Sequence, residues 1–496
     1  MNAAFTRWAP PGASLAGALL VIALCWFKLG VPIHAVVVWL VPGLVAGLCV
    51  GALLALLRRA WRSVMLNLGL VLGVVVAWCA RPPATAVVVV VVDCLSAARL
   101  GAELMPHTDA LSPEAWRFPY MLAQSSWTRS AVGSMLTGSW PRRHGLYHLK
   151  PTPDRLVPGT PTLAQVFADA GWSTAMFAEQ AQLDPAFGLN AGFQRYHHRD
   201  GPAPGLIARF LRWNTLFRHQ PRFAWLHLLD VHKPYTPDPR WLGEVEGAAP
   251  LALNLPEDWT TLMAEVNQGK RTLSAEEWAW LERLHEAEVS QLDETLGQLW
   301  SRLEADGSLE RTWLVVTADH GEAFGEHGWF THGGPPHAEL VEVPLLVRPP
   351  AGSGGPARGS RFAWAPRQVD LAPTLLGWVG LESSVEWDGD DLGEVWAGRA
   401  PAPDLSVAEY ENGNVAEGYS AGIRQARWSL IFAAGRHRLY DHENDPGETV
   451  DLAPKEPTTV LRLAADLGAL RGDSTLASGP VPAETTEALR AMGYLR

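Results

Sequence analysis

The first 85 residues of the 496-residue chain contain no aspartate or glutamate, but six basic residues: Arg7, Lys28, Arg58, Arg59, Arg62 and Arg81. Because the whole chain carries −12, residues 86–496 must carry −18 against +6 for this leading segment. Two segments with that contrast fold in different solvents. Three apolar stretches fill the first: Ala13 to Gly30, Ile33 to Leu57 and Val64 to Ala80. Each is near the ~20 residues that cross a ~30 Å hydrocarbon layer, so three transmembrane helices are expected over residues 1–84. A signal peptide explains only the first stretch, and a buried helical hairpin would need a soluble core that no polar segment supplies. Arg58, Arg59 and Arg62 fill the second connection, which is therefore assigned to the cytoplasm, as is the amino terminus with Arg7. Three crossings leave everything after Arg81 outside the cytoplasm, on the periplasmic or extracellular side.

The acidic remainder excludes nonspecific nucleic-acid binding, which needs a basic surface to displace counterions. Disorder is excluded as well, since 23 Trp, 14 Phe and 8 Tyr supply abundant apolar bulk. Cys25, Cys49 and Cys79 lie in the anchor and Cys94 is alone in the rest, so no disulfide forms within the large domain. Cys94 itself reads as a small buried residue.

From Thr85 onward the pattern alternates between strand and helix. Ala86 to Val92 is a run of small and β-branched residues ending in Asp93, as expected of a strand buried on both faces of a parallel sheet. Thr162 to Ala170 reads as helix, Ser173 to Ala178 as strand, and Ala224 to Leu229 as another apolar strand followed by Asp230. Leucines at helical spacing mark a long helix over Glu276 to Leu303, and Trp313 to Thr317 is a strand leading to Asp319. Ligands of open α/β sheets gather beyond the carboxyl ends of strands, so Asp93, Asp230 and Asp319 are expected to converge. Val343 to Val347 reads as one more strand before a Gly- and Pro-rich loop, Ile423 to Ala434 and His437 to Tyr440 as extended segments, and Thr485 to Met492 as a terminal helix. The expected organisation is an anchor over 1–84, an α/β catalytic domain over 85–385, and a smaller subdomain with an antiparallel sheet over 386–496.

Four short segments carry the chemistry. Asp93 ends the first. In the second, WTRSAVGSMLTGSWPRRHG, Thr128 begins a helix whose N-terminal dipole favours an anion, although on this segment alone an N-cap role is the preferred reading of this threonine. The third, LHLLDVHKPYTPD, brings Asp230, His232 and Lys233; the fourth, TADHGEAFGEHGWFTHGG, brings Asp319, His320, His327 and His332. Carboxylates and imidazoles in such number suit Zn, Mn, Mg or Ca. Arg142, Arg143 and His144 are expected to cover the surface beside the Thr128 helix.

In this order and spacing the four segments resemble the sulfatase branch of the alkaline phosphatase superfamily, with further matches in QVDLAPTLLGWVGL (368–381), LYDHENDPGETVDL (439–452) and LRAMGYL (489–495). The resemblance implies a mixed, mainly parallel sheet flanked by helices and a divalent cation held by Asp93, Thr128, Asp319 and His320. It puts Thr128, counted back from Thr137–Gly138, where sulfatases carry the Cys or Ser that becomes formylglycine. Threonine bears a β-methyl and would oxidise to a ketone, and the motif's Pro and Arg positions are Ser130 and Val132, so formylglycine is excluded by this reading. Cys94 replaces the second carboxylate of the family's first motif. At the site the chain resembles phosphoethanolamine transferases and lipoteichoic acid synthases, which use a Thr nucleophile, and His332, twelve residues after His320, agrees with the former. His232 and His332 are then catalytic or, with Asp230 and Lys233, bind substrate oxygens or a second ion.

The function so implied is a membrane-anchored, metal-dependent hydrolase or transferase acting on phosphate or sulfate esters, such as a lipid headgroup or envelope glycan, through a covalent Thr intermediate. The rivals are a sulfuric ester hydrolase working without formylglycine and a noncatalytic anchored binding protein.

Overall fold

The computed structural model describes residues 83–491 except 150–153, 200, 244–249, 252, 254–255, 413–417, 472–476 and 479–482. The three apolar stretches expected to cross a membrane lie outside the described residues; among those described, no helix is long and apolar enough to do so. Contacts divide the chain into Met1–Ala84 with Arg209–His219, and Thr85–Ala208 with Gln220–Arg496. In the first unit the amide of Ala84 donates to the carbonyl of Arg218 at 2.7 Å.

The second unit carries two main sheets. Their strands are β1 (Ala86–Val92), β2 (Trp116–Arg117), β3 (His148–Leu149), β4 (Ser173–Ala178), β5 (Arg195–His197), β6 (Arg222–Leu228), β7 (Thr312–Ala318), β8 (Leu345–Arg348), β9 (Leu405–Asn412), β10 (Tyr419–Gln425), β11 (Trp428–Ala433) and β12 (Arg436–Asp441). The larger sheet has the order β2-β8-β7-β1-β6-β4-β5. β1 runs parallel to both β6 and β7, while β8 is antiparallel to β7, which makes the sheet mixed and mainly parallel. All seven residues of β1 are buried, so its run of valines packs on both faces. Each valine so buried contributes roughly 1.5–3 kcal/mol, and a charge placed mid-strand would break the sheet at its centre.

The long helix expected over 276–303 runs from Ala275 to Ala305 and is started by a capping box between Ser274 and Glu277. Its buried stripe includes Leu281, Leu284, Leu292, Leu296, Leu299 and Leu303. The strand expected over Val343 to Val347 is divided by Pro344: Glu342–Val343 pairs with Met121–Leu122, and β8 starts only at Leu345. The extended run expected over Ile423–Ala434 is likewise divided, because Ala426 takes a φ of 49° between β10 and β11. Neither Gly nor Pro marks that turn, so the apolar pattern ran through it.

The smaller sheet has the order β12-β11-β10-β9-β3. Its β9 to β12 are antiparallel neighbours, and β3, from far earlier in the chain, joins β9 in parallel. This sheet belongs to the same compact unit as the larger one. Helix Pro457–Arg471 places Leu463 and Leu467 against Ile423, Leu430 and Leu439 to form its core, and a terminal helix spans Ala483–Ala491.

Candidate active site

Strand register brings the first two acids together. Val92 of β1 lies opposite Ala318 of β7, so Asp93 and Asp319 leave the sheet side by side, both fully buried. Gln368, from the QVDLAP segment, donates to the carbonyls of Ala318 and Asp319 at 3.1 and 2.6 Å and holds the end of β7. Thr128 is the first residue of helix α1 (Thr128–Thr137), in which every residue is buried. The cap position belongs to Trp127 and no side chain caps the helix, so the N-cap role is not the one Thr128 takes. Its Oγ1 instead lies 3.2 Å from Nε2 of His320.

The tautomer of His320 follows from its other contact. Nδ1 is 2.9 Å from the carbonyl of Gly321 and donates to it, leaving the Nε2 lone pair facing Thr128, 3.6 Å from Asp93 Oδ1 and 3.5 Å from Asp319 Oδ2. Ligating atoms of Asp93, Asp319 and His320 all fall within 4.8 Å of one another. Oδ2 of Asp319 is buried without a hydrogen bond. Such an atom is costly unless something positive completes it, and this donor set suits a divalent cation. Burial and the charge of Asp93 push Asp319 well above the usual carboxylate range. Burial works in the same direction on Asp93, but its hydrogen bond with His227 and the imidazoles gathered around it hold Asp93 well below.

His232 and His332 join the same buried cluster. The ring centroids of His332 and His320 are 4.6 Å apart, and those of His332 and His232 are 4.8 Å apart. Nδ1 of His232 donates to the carbonyl of Lys233 at 2.6 Å. Burial and the charges of Lys233 and His332 lower His232 to about 3, so its imidazole is neutral. Burial also lowers Lys233, which is near enough to feel Glu322, Cys94 and Asp93.

Asp230 goes elsewhere, and the convergence of three strand-end acids is corrected to two. Both its carboxylate oxygens accept from the amide of Ala203, at the start of helix Ala203–Leu216, at 3.0 Å. Pleat parity explains this. Asp93 and Asp319 are the first residues past their strands, whereas Asp230 is the second past β6 and points to the other face. The residue with the matching parity is His227, whose Nε2 lies 3.3 Å from Asp93 Oδ2 and 3.7 Å from Asp319 Oδ2. His327 also lies outside the cluster, stacked on His337 and 2.9 Å from Glu339. His144 is buried rather than superficial, with Nε2 3.1 Å from Ser134 Oγ, while Arg142 and Arg143 pair with Glu409 and Asp388.

Besides His227, the sequence reading missed Gln180, which donates to Asp93 Oδ2 at 2.6 Å, and Glu322, 3.2 Å from His332 Nδ1. Glu322 had a signal, the acid two residues after His320 in the same motif. Gln180 had none.

Residues 85–381 match the family model Sulfatase. The chain belongs to the sulfatase family. With it comes membership of the alkaline phosphatase superfamily of ester hydrolases. The N-acetylglucosamine-6-O-sulfatase of Bacteroides thetaiotaomicron is 31% identical over 192 residues, 36% of this chain and 33% of that one. The low-salt glycan biosynthesis sulfotransferase of Haloferax volcanii is 27% identical over 292 residues, 58% of this chain and 59% of that one. The sulfatase-family chain thus spans a third to three fifths of the length of these relatives. Among solved structures, the phosphonate monoester hydrolase of Agrobacterium radiobacter has the same fold, with a TM-score of 0.63 at 18% identity over 78% of this chain and 95% of that one.

Proposed function

We propose that this sulfatase-family chain is a metal-dependent phosphoryl-transfer enzyme in which Thr128 is the nucleophile. The observation that carries the reading is the Thr128 hydroxyl, buried at the start of α1 and 3.2 Å from a His320 Nε2 whose other nitrogen is fixed by a backbone carbonyl. Asp93, Asp319 and His320 would hold a divalent cation. Bound there, the cation supplies Lewis acidity and lets the neighbouring hydroxyl ionise near neutral pH. Thr128 Oγ1 then forms a bond to phosphorus as the bond to the leaving oxygen breaks. Lys233 binds the nonbridging oxygens, His232 and His332 join it when the arriving substrate anion favours their protonation, and a protonated member of that group returns a proton to the leaving oxygen. Attack by water on the phosphothreonine completes hydrolysis, and attack by an alcohol or amine completes transfer. The β-methyl of Thr128 bars formylglycine, which separates this chemistry from that of typical sulfatases.

A sulfate ester is the second reading, favoured by the names of the curated relatives. The leading segment of this reading is a membrane anchor, with the enzyme outside the cytoplasm and a lipid headgroup or envelope glycan as substrate. Intact-mass measurement after mixing with a generic phosphodiester tests the nucleophile: a phosphoryl adduct mapped to Thr128 is expected. Release of sulfate from an aryl sulfate without phosphodiester cleavage would favour the second reading, and no turnover of either ester would leave a binding protein.

A further inference from the structure

We propose that Cys94 is a ligand of this cation and that its thiolate makes the centre prefer zinc-class ions over calcium or magnesium. The proposal rests on a cation lying between Asp93, Asp319 and His320, but not on which ester is cleaved or on Thr128 being the nucleophile. Cys94 is fully buried, which by itself describes a small core residue. Its surroundings do not. Sγ lies 3.2 Å from Asp93 Oδ1 and 3.3 Å from Nδ1 of His332, in contact with a carboxylate and an imidazole. Asp93 Oδ1, the atom it touches, is itself 3.6 Å from His320 Nε2.

Two groupings of potential ligands within 4.8 Å contain this sulfur, one with Asp93 and His232 and one with His320 and His332. Oδ2 of Asp319, buried without a hydrogen bond, is an independent observation that favours a cation here. The backbone is held to the purpose. Cys94 takes a φ of 61°, uncommon for a residue with a side chain, and its carbonyl lies 3.1 Å from His285 Nε2. Calcium and magnesium select all-oxygen shells, whereas a thiolate beside imidazole and carboxylate suits zinc and its spectroscopic stand-in cobalt(II). On ligation the thiol proton passes to solvent and the sulfur–metal bond replaces it.

The test is cobalt(II) loading of the full-length protein in detergent, read by near-ultraviolet absorption and metal content. A thiolate-to-cobalt charge-transfer band is expected in the wild type, lost in Cys94→Ser and kept in Thr128→Ala. Cys94→Asp is expected to lower the zinc-over-calcium affinity ratio by more than the roughly 10–100-fold that a supporting residue costs in metal affinity. Cooperative unfolding of both Cys94 variants serves as the folding control, and either one alone is decisive. Absence of the band in wild type overturns the proposal. So does an equal band in Cys94→Ser, which would then belong to Cys25, Cys49 or Cys79, or an unchanged metal preference in Cys94→Asp. A missing adduct on Thr128 would sink the nucleophile reading and leave these readouts standing.

Discussion

Among the described residues, the buried charged clusters around Arg424 and around Asp319 differ in that only the first is completed by the chain. Around Arg424 the books balance: Nη1 is 2.5 Å from Glu342 and Nη2 is 3.1 Å from Glu448, whose other oxygen is 2.8 Å from Nδ1 of His337. Around Asp319 they do not, because one carboxylate oxygen has no hydrogen bond and Asp93 stands beside it. The first cluster ties the smaller sheet to the segment after β7, and the chain supplies both signs of charge. The second sits at the carboxyl ends of β1 and β7 and calls for a cation from solution. Buried charge left for a partner to neutralise marks a functional site, whereas buried charge already neutralised marks a structural one.

The strongest break in that comparison is chemical. Thr128→Ala should lower turnover by on the order of 10⁴-fold while the unfolding midpoint stays within about 1 kcal/mol of wild type, as steady-state rates and denaturant titration would show. The converse holds at the other cluster. Arg424→Ala strands Glu448 and should destabilise the fold by about 3–5 kcal/mol in urea, with turnover per folded molecule retained.

Acid should weaken the same cluster. Burial raises Glu448, but the hydrogen bond with His337 and the charge of Arg424 overcome it and hold its carboxyl at about 2, below the ordinary 4.5. A carboxyl depressed on folding contributes stability above its unfolded value and loses it as pH falls through the folded one, so the window is roughly pH 4.5 to 2. The loss should be on the order of 3 kcal/mol. Urea midpoints across that range should show it for wild type and not for Glu448→Gln; matching curves would break the assignment.

The smallest effect carries the opposite sign. Asp319→Asn removes a buried carboxyl that crowds Asp93 and that burial already pushes well above the usual range, so the metal-free variant should be about 1–2 kcal/mol more stable than the metal-free wild type. The same variant should lose the thermal shift that added divalent ion gives wild type, which would be roughly 2.7 kcal/mol at a hundredfold excess over the dissociation constant. A destabilised Asp319→Asn would mean that the chain itself completes the second cluster too.

Legibility in the sequence tracked how local the cause was. Val87 to Val92 announces a doubly buried strand because the signal is the composition of six consecutive residues, and Asp93 follows it by one position. The division of Ile423–Ala434 was hidden because the turn at Ala426 and Arg427 uses no residue that prefers one. Asp230 looked equivalent to Asp93 because both trail an apolar run, and one extra residue before it, Leu229, reverses which face it meets.

By itself the sequence determined the chemical inventory and its approximate depth: three strand-end acids, an adjacent Asp-His pair, a threonine at a helix start, and a leading segment with no acid. These are set by spacing along the chain, where period and composition act over a few residues. Only the tertiary structure decided which side chains share one buried cluster. It admitted His227, Gln180, Glu322 and Cys94 and turned Asp230 and His327 away, because strand register and pleat parity fix direction between segments that the chain keeps far apart.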